Sequence, residues 1–283
     1  MILVADSGST KADWNLVDDN GNIVKQASTI GLNPLFINTE GIVAELSKTL
    51  VPELGGASIT NIYFYGASCS SAERKAVVAN GLKQLFAGSH VMVDHDMLAA
   101  ARALCGNEPG FAAILGTGSN SCYYDGNDVV ENIPALGYIL GDEGSGAYIG
   151  RMLIREYIYE TLPTELHTQF TIDYGLSKDD IFASVYSKPL PNRFLAQFAR
   201  FCTRHQSHPH IAAILTKALD DFFVHHICRY EKHKQHPVGF VGSVAHFHSD
   251  ILKAVAEKHG VTVGKIIEAP IAALTLYHIN QQL

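Results

Sequence analysis

Two short runs of small and hydroxylated residues are the first places in this chain where chemistry could be done. They are Asp6-Ser7-Gly8-Ser9-Thr10-Lys11 and Gly116-Thr117-Gly118-Ser119-Asn120. Each follows an apolar run that reads as a buried strand, Ile2–Val4 in one case and Phe111–Leu115 in the other. A small-residue turn between two buried strands lets several backbone N–H groups converge on one anion, with Gly where a side chain would block it. Ser7, Gly8, Ser9, Thr10 and Lys11, and Gly116, Thr117, Gly118 and Ser119, are therefore candidate phosphate-binding residues. Taken singly, either turn is also what a plain hairpin loop looks like. Neither fits GxxxxGK[ST], nor GxGxxG between a strand and a helix, so P-loop and Rossmann readings fail.

Carboxylates accompany the turns. Asp6 ends the first strand beside its turn, where a negative side chain would repel phosphate unless a cation lay between them. Mg²⁺ suits such a place, since it favours carboxylate, water and phosphate oxygens together; the competing reading of Asp6 is a turn cap. Asp94-His95-Asp96 ends a strand and opens a helix. Asp142 and Glu143 are read at the entry to another helix, where carboxylates are favoured and can accept hydrogen bonds from hydroxyls. Both could equally cap that helix.

The elements that must position these groups repeat. The first half reads as strands Ile2–Val4, Ala12–Val17 and Ile23–Thr29, with Asn20-Gly21 in a hairpin turn that places both central residues at positive φ. A helix follows over Asn38–Leu50, capped by Asn38, then strand Asn61–Tyr65, helix Ser71–Phe86, strand His90–Asp94 and helix Met97–Cys105. The second half reopens with Phe111–Leu115, a Gly-rich turn, Ser121–Tyr124 and Asp128–Ile133. Helices are expected over Glu143–Tyr159, Lys178–Tyr186, Asn192–Thr203 and Ile211–Lys232, then strand Val238–Val241, helix Ser249–His259, strand Val261–Glu268 and helix Pro270–Asn280. Two α/β halves that each open with strand–Gly turn–strand imply a duplication.

Here the strings become specific. Asp6–Lys11 resembles the phosphate-1 motif of the actin/hexokinase/Hsp70 superfamily, Leu115–Asn120 its phosphate-2 motif, and Val241-Gly242-Ser243-Val244 its adenosine motif. Gly141-Asp142-Glu143-Gly144-Ser145-Gly146, after Leu136-Gly137-Tyr138, is similar to the signature that follows phosphate-2 in N-acetylglucosamine kinases and in the wider BadF/BcrA-type ATPase family. The resemblance runs from residue 6 to about 275. It departs in having Ser at 7 and 9 where many relatives have Gly, and in lacking the DNA-binding helices of sugar-responsive repressors.

The resemblance implies an α/β fold of two ribonuclease H-like lobes, the actin-like ATPase fold, around a central nucleotide and sugar cleft. The N-terminal lobe would cover 1–108 with a returning helix at 270–283, and the C-terminal lobe 109–269. It implies ATP and Mg²⁺ as cofactors, ATP contacts from Gly242 and Ser243 besides the two turns, and sugar contacts from Asn33, Asp96, Asp142 and Glu143. Asp96 would be the catalytic base, held ionised by the free N–H groups at a helix start; Asp94 competes for that role, and Asp96 could also simply cap its helix. The expected activity is phosphorylation of an N-acetylhexosamine, with N-acetylglucosamine first. A BadF/BcrA-type activator ATPase and a sugar or nucleotide sensor without turnover are the alternatives.

Composition agrees with such a protein. The 283 residues suit two lobes, and a hydrophobic fraction of 47% with 17% charged residues is ordinary for a globular chain. The formal charge of −7 argues against a nucleic-acid surface. No run of about 18 apolar residues offers a membrane span, and the N-terminus reads as a strand rather than a signal peptide. Five scattered cysteines without a CxxC pair point to reduced thiols and a cytoplasmic setting. The histidine-rich stretch from His205 to His248, with HPH and HFH, has the spacing for Zn²⁺ but lacks Glu or Cys at ligand spacing, so a solvated face is expected. A homodimer is the default for an oligomer of this size.

Overall fold

The computed structural model describes residues 1–8 and 10–281. The chain divides into two compact units, one of Met1–Asn107 with Pro270–Leu283 and the other of Glu108–Ala269.

The first unit runs β1 (Ile2–Ser7), β2 (Lys11–Val17), β3 (Ile23–Ile30), α1 (Thr39–Thr49), β4 (Asn61–Gly66), α2 (Ala72–Leu85), β5 (His90–His95) and α3 (Asp96–Cys105). Its sheet has the order β3-β2-β1-β4-β5. The β1–β2–β3 hairpins are antiparallel, whereas β1, β4 and β5 are parallel. An apolar run such as Ile2–Ala5 can only be a strand covered on both faces, and these residues are buried in the centre of the sheet. The edge strand β3 is mostly exposed. Asn38 caps α1 by accepting from the Gly41 N–H, and Ser71 caps α2 by accepting from the Arg74 N–H. The β2–β3 turn differs from the expected Asn-Gly geometry: Gly21 has φ +81° and Asn20 stays at negative φ. The Asp18 side chain accepts from the Asn20 and Asn22 N–H groups, so an Asp-nucleated turn replaces the two-residue hairpin.

The second unit runs β6 (Gly110–Leu115), β7 (Ser119–Tyr124), β8 (Val129–Ile133), α4 (Gly137–Leu140), α5 (Gly146–Ile158), α6 (Thr164–Tyr174), α7 (Lys178–Tyr186), α8 (Pro191–Ala196), α9 (Ala199–Arg204), α10 (Pro209–His225), β9 (Val238–Val241), α11 (Ser243–Phe247), α12 (Ser249–Lys258) and β10 (Val263–Ile267). The sheet order is β10-β9-β6-β7-β8. Strand for strand this repeats the first unit, including two antiparallel pairs followed by two parallel ones. Its core gathers Phe111, Phe170, Phe198, Phe201, Phe222 and Phe240.

Several boundaries depart from expectation. The helix expected from Glu143 begins at Gly146, and the one over Asn192–Thr203 breaks into α8 and α9. The one expected to reach Lys232 stops at His225 and continues only as a single 3₁₀ turn, Ile227–Arg229. Helix α6 has no counterpart in the sequence reading: Pro163 precedes it and no side chain caps it. The last helix, α13 (Ile271–Asn280), belongs to the first unit. Buried polar pairs hold it there, Asn15 Nδ2 donating to Thr275 Oγ1 at 3.0 Å and Tyr65 Oη lying 2.9 Å from His278 Nε2. Such pairs are worth more than their number suggests, because a buried polar group left without a partner costs roughly 1–3 kcal/mol. Among the described residues no helix is long and apolar enough to cross a membrane.

Candidate functional site

In the first unit the candidate residues gather at one end of the sheet, where β1 and β5 finish. Strand pairing runs Asp6 to Tyr65 to Asp94 and Ser7 to Gly66 to His95 across β1, β4 and β5. The carboxyl ends of parallel strands are where open α/β sheets bind ligands. The Ser7 hydroxyl accepts from the Leu32 N–H at 2.9 Å, and the Gly31 N–H donates to the Thr10 carbonyl at 3.0 Å. These bonds tie the 31–33 segment to the first turn. Asn33 is buried, and its side chain accepts from the Leu35 N–H at 3.0 Å.

One backbone donor of the first turn is used within the turn. The Gly8 N–H donates to the Lys11 carbonyl at 3.0 Å, closing the hairpin on itself. Lys11 pairs with Asp13 at 2.8 Å, and Asp13 also accepts from Ser28. Gly8 and Thr10 are exposed, and Ser9 lies outside the described residues.

Asp94 and Asp96 have different surroundings. Asp94 Oδ1 takes the Lys75 ammonium at 2.7 Å and the His95 N–H at 2.9 Å. Asp96 forms no salt bridge among the described residues; its Oδ1 accepts from the Met97 N–H at 2.9 Å. Nor does Asp96 cap its helix. His95 does, accepting through Nδ1 from the Leu98 N–H at 3.2 Å. Burial raises the Asp96 carboxyl above the ordinary range, while His95 and the Met97 N–H pull the other way without prevailing. The N–H groups at the helix start do lower it, as expected, but desolvation outweighs them and the net shift is upward.

Asp6 shows the same effect more strongly. Burial first, then the negative charges of Asp96 and Asp13, push its carboxyl up to about 7. Among the described residues no three His, Cys, Asp or Glu side chains converge as a metal cage. Mg²⁺ does not require one; it uses one or two carboxylates and fills its shell with water and phosphate oxygens. Crowded carboxylates that resist ionising together fit a divalent cation, so Asp6 could hold one. Cys69 is close enough to feel Asp96 and Asp94, but burial pushes its thiol up to about 12, and it stays protonated.

In the second unit the phosphate-2 turn, the Gly141–Gly146 segment and Gly242 are brought together. The Gly146 and Ala147 N–H groups donate to the Gly116 and Thr117 carbonyls at 2.8 and 3.1 Å, and the Ser145 hydroxyl accepts from the Tyr148 N–H. Three of the four free donors at the start of α5 are thus satisfied by the turn and by Ser145. Asp142 and Glu143 precede the helix and cap nothing. Asp142 sits at φ +57°, a left-handed conformation rare for a non-glycine and typical of functional positions. Its carboxylate accepts from the Ser119 N–H, yet burial still raises its pKa. The Ser119 hydroxyl is buried with no partner among the described residues, and Thr117 is exposed.

Two glycines are dictated by close approach. A Cβ on Gly144, at φ +73°, would meet Phe222 Cβ at 2.8 Å. On Gly242, at φ +123°, it would lie 2.3 Å from the Leu115 carbonyl oxygen. The Gly242 backbone therefore rests directly on the end of β6, with exposed Ser243 beside it.

One contributor is absent from the sequence reading. His226 Nε2 lies 3.4 Å from Glu143 Oε2, and its ring stacks on Phe222. Burial lowers its pKa, so the ring is neutral, and its Nδ1 has no partner among the described residues. His248 is also buried and pushed down to about 4, bonding Gln206 and Thr203. The histidine-rich stretch is thus not uniformly a solvated face.

No family model matches the chain, and no curated protein does. Solved structures do. The putative N-acetylglucosamine kinase of Porphyromonas gingivalis shares 40% identity over 100% of both chains, with a TM-score of 0.96. The chain belongs to that protein's family. Members of more distant groups share its fold alone. A putative N-acetylglucosamine kinase of Chromobacterium violaceum has 18% identity, 98% coverage of both chains and a TM-score of 0.73. A ROK family glucokinase of Streptomyces griseus, solved with glucose and AMPPNP, has 15% identity, 97% coverage of both chains and a TM-score of 0.64. The fold of the family is accordingly the two-sheet α/β architecture of the ROK and actin-like ATPase kinases.

Proposed function

We propose that this chain is an ATP-dependent, cytoplasmic kinase, of the BadF/BcrA-type branch, that phosphorylates an N-acetylhexosamine, N-acetylglucosamine first. The observation that carries the reading is Asp96: a carboxylate of raised proton affinity at a strand end, free of any salt bridge among the described residues, while neighbouring Asp94 is tied to Lys75. The name of the Porphyromonas gingivalis relative supports the sugar, and the AMPPNP held by the Streptomyces griseus glucokinase supports the nucleotide.

In this reading a sugar hydroxyl attacks the γ-phosphorus of ATP. The new O–P bond forms as the bond to the β,γ-bridging oxygen breaks, ADP leaves, and the hydroxyl proton passes to Asp96. A carboxylate whose pKa burial raises is a better proton acceptor than an ordinary one. Asn33, Asp142 and Glu143 hold sugar hydroxyls, His226 keeps Glu143 aimed, and Gly116–Ser119 with Gly242 and Ser243 hold the nucleotide. Ser7, Gly8, Ser9, Thr10 and Lys11 complete the phosphate contacts. A magnesium ion at Asp6, held largely through water, would supply charge neutralisation at the transferring phosphoryl group.

The test is ATP consumption with Mg²⁺ against N-acetylglucosamine, glucosamine, N-acetylmannosamine, glucose and no sugar. Stimulation by N-acetylglucosamine well above the others is the expected result. Hydrolysis at the same rate without sugar would overturn it and favour an activator-type ATPase.

A further inference from the structure

A cavity in the second unit is lined by none of the residues assigned above to sugar or nucleotide. It measures about 710 Å³ and is bounded by α4, α5, α7 and α8. Its floor is apolar and buried, formed by Ile154, Ile181 and Leu195. That floor exists because α8 crosses α5 at a glycine: a Cβ on Gly150 would fall 1.9 Å from the Leu195 carbonyl oxygen. The rim carries four rings, Tyr138, Tyr159, Phe182 and Tyr186. Tyr159 and Tyr186 are 72% and 80% exposed, far more than a packed core would leave.

Three cations complete the lining, Arg151, Arg155 and Lys178, and among the described residues no carboxylate does. Arg151 is structural: it donates to the Tyr138 and Ile139 carbonyls and holds the α4 wall against α5. Arg155 and Lys178 have no acidic partner among the described residues, and Lys178 lies 5.3 Å from the Phe182 ring. Two of the acids near them in sequence are engaged elsewhere, Glu156 with His210 and Asp180 with Ser177. In a chain of formal charge −7, two unneutralised cations over an aromatic-walled cavity are a concentrated exception.

We infer that this cavity binds a small amphipathic organic anion, a flat ring system carrying a phosphate, sulfonate or carboxylate. Its volume falls within the ordinary 300–1,000 Å³ range of small-molecule sites, which are apolar and aromatic with few convergent polar groups. The rings take the flat body, and Arg155 and Lys178 take the charge. A second copy of the chain is the poorer occupant, because two such faces brought together would oppose cation to cation.

Anilinonaphthalene sulfonate and phenylnaphthylamine, which shares its ring system but has no charge, make the test direct. With the full-length protein at low ionic strength, the sulfonate should bind one to one and about tenfold tighter than the neutral ring, roughly 1.4 kcal/mol. Arg155→Gln with Lys178→Gln should abolish that preference, and Arg155→Lys with Lys178→Arg should keep it. Both side chains are exposed, so neither pair of changes threatens folding. Equal affinity for the two dyes, a preference that survives the glutamine pair, absence of binding, or displacement of the sulfonate by ATP or N-acetylglucosamine would each overturn the inference.

Discussion

Replacing Asp96 with Asn separates a catalytic carboxylate from a structural one. The side chain keeps its shape, and the amide oxygen can still accept from the Met97 N–H at 2.9 Å. What is lost is the ability to take a proton. A positioned general base contributes about 10²–10⁴-fold, so kcat should fall by that factor, roughly 2.7–5.4 kcal/mol of barrier at ~1.36 kcal/mol per tenfold. Asp94 should not substitute, because Lys75 holds its carboxylate. Stability should move the opposite way. Burial raises the Asp96 pKa in the folded chain, so the ionised side chain costs stability at neutral pH and its removal relieves that cost. It also removes a like charge from Asp6, whose carboxyl should then drop from about 7. The assay is steady-state ATP consumption with N-acetylglucosamine, sugar binding by calorimetry, and thermal melting at pH 7.5. Activity within tenfold of the parent, with sugar binding intact, would refute the base. A lower Tm would refute the burial argument.

Other consequences follow from the same geometry. Gly242→Ala must push the new Cβ away from the Leu115 carbonyl at 2.3 Å while holding φ +123°; overpacking of about 1–3 kcal/mol should lower Tm and raise KM for ATP, and unchanged values would show that β6 and the adenosine segment are not in close register. His226→Phe keeps the stack on Phe222 but leaves Glu143 without its donor; KM for the sugar should rise about tenfold (~1.4 kcal/mol, close to the low end for a lost hydrogen bond to a charged group) with KM for ATP unmoved, and a parallel change in both would sink the positioning role. Buried His248 and His278 have pKa values pushed down to about 4 and about 3, so between pH 6.5 and 4 the unfolded chain binds protons the folded chain refuses. Each imidazole should therefore cost stability on acidification through that window, up to about 1.4 kcal/mol per pH unit, against the opposite contribution of the raised Asp6, Asp96 and Asp142 carboxyls. His248→Gln should lose less stability than the parent between pH 6.5 and 4.5, and equal slopes would contradict its neutral burial.

Local patterns in the chain carry the architecture. Ile2–Ala5 and Phe111–Leu115 are too apolar to be anything but covered strands, and each is buried at the centre of its sheet. Asn38 and Ser71 announce helix starts because a cap acts on N–H groups two or three residues away, a distance readable within the string itself. The two-sheet α/β class follows from such signals, since strand period, helix period and turn chemistry are all settled over a few residues.

What the tertiary structure alone decided was how distant groups share charge and donors. The Gly8 N–H, one donor of the first turn, is taken by the Lys11 carbonyl. Asp142 and Glu143 look like helix caps, but carbonyls from residues 116 and 117 occupy that helix start instead. Helix α6 lacks a capping signal, so its order rests on Leu166 and Phe170 packing into the core. Asp6 is raised by burial and then by a carboxylate ninety positions onward, and Glu143 is met by a histidine eighty-three positions later. Composition and spacing describe the neighbourhood along the chain, whereas desolvation and hydrogen-bond competition depend on the neighbourhood in space, which only packing creates.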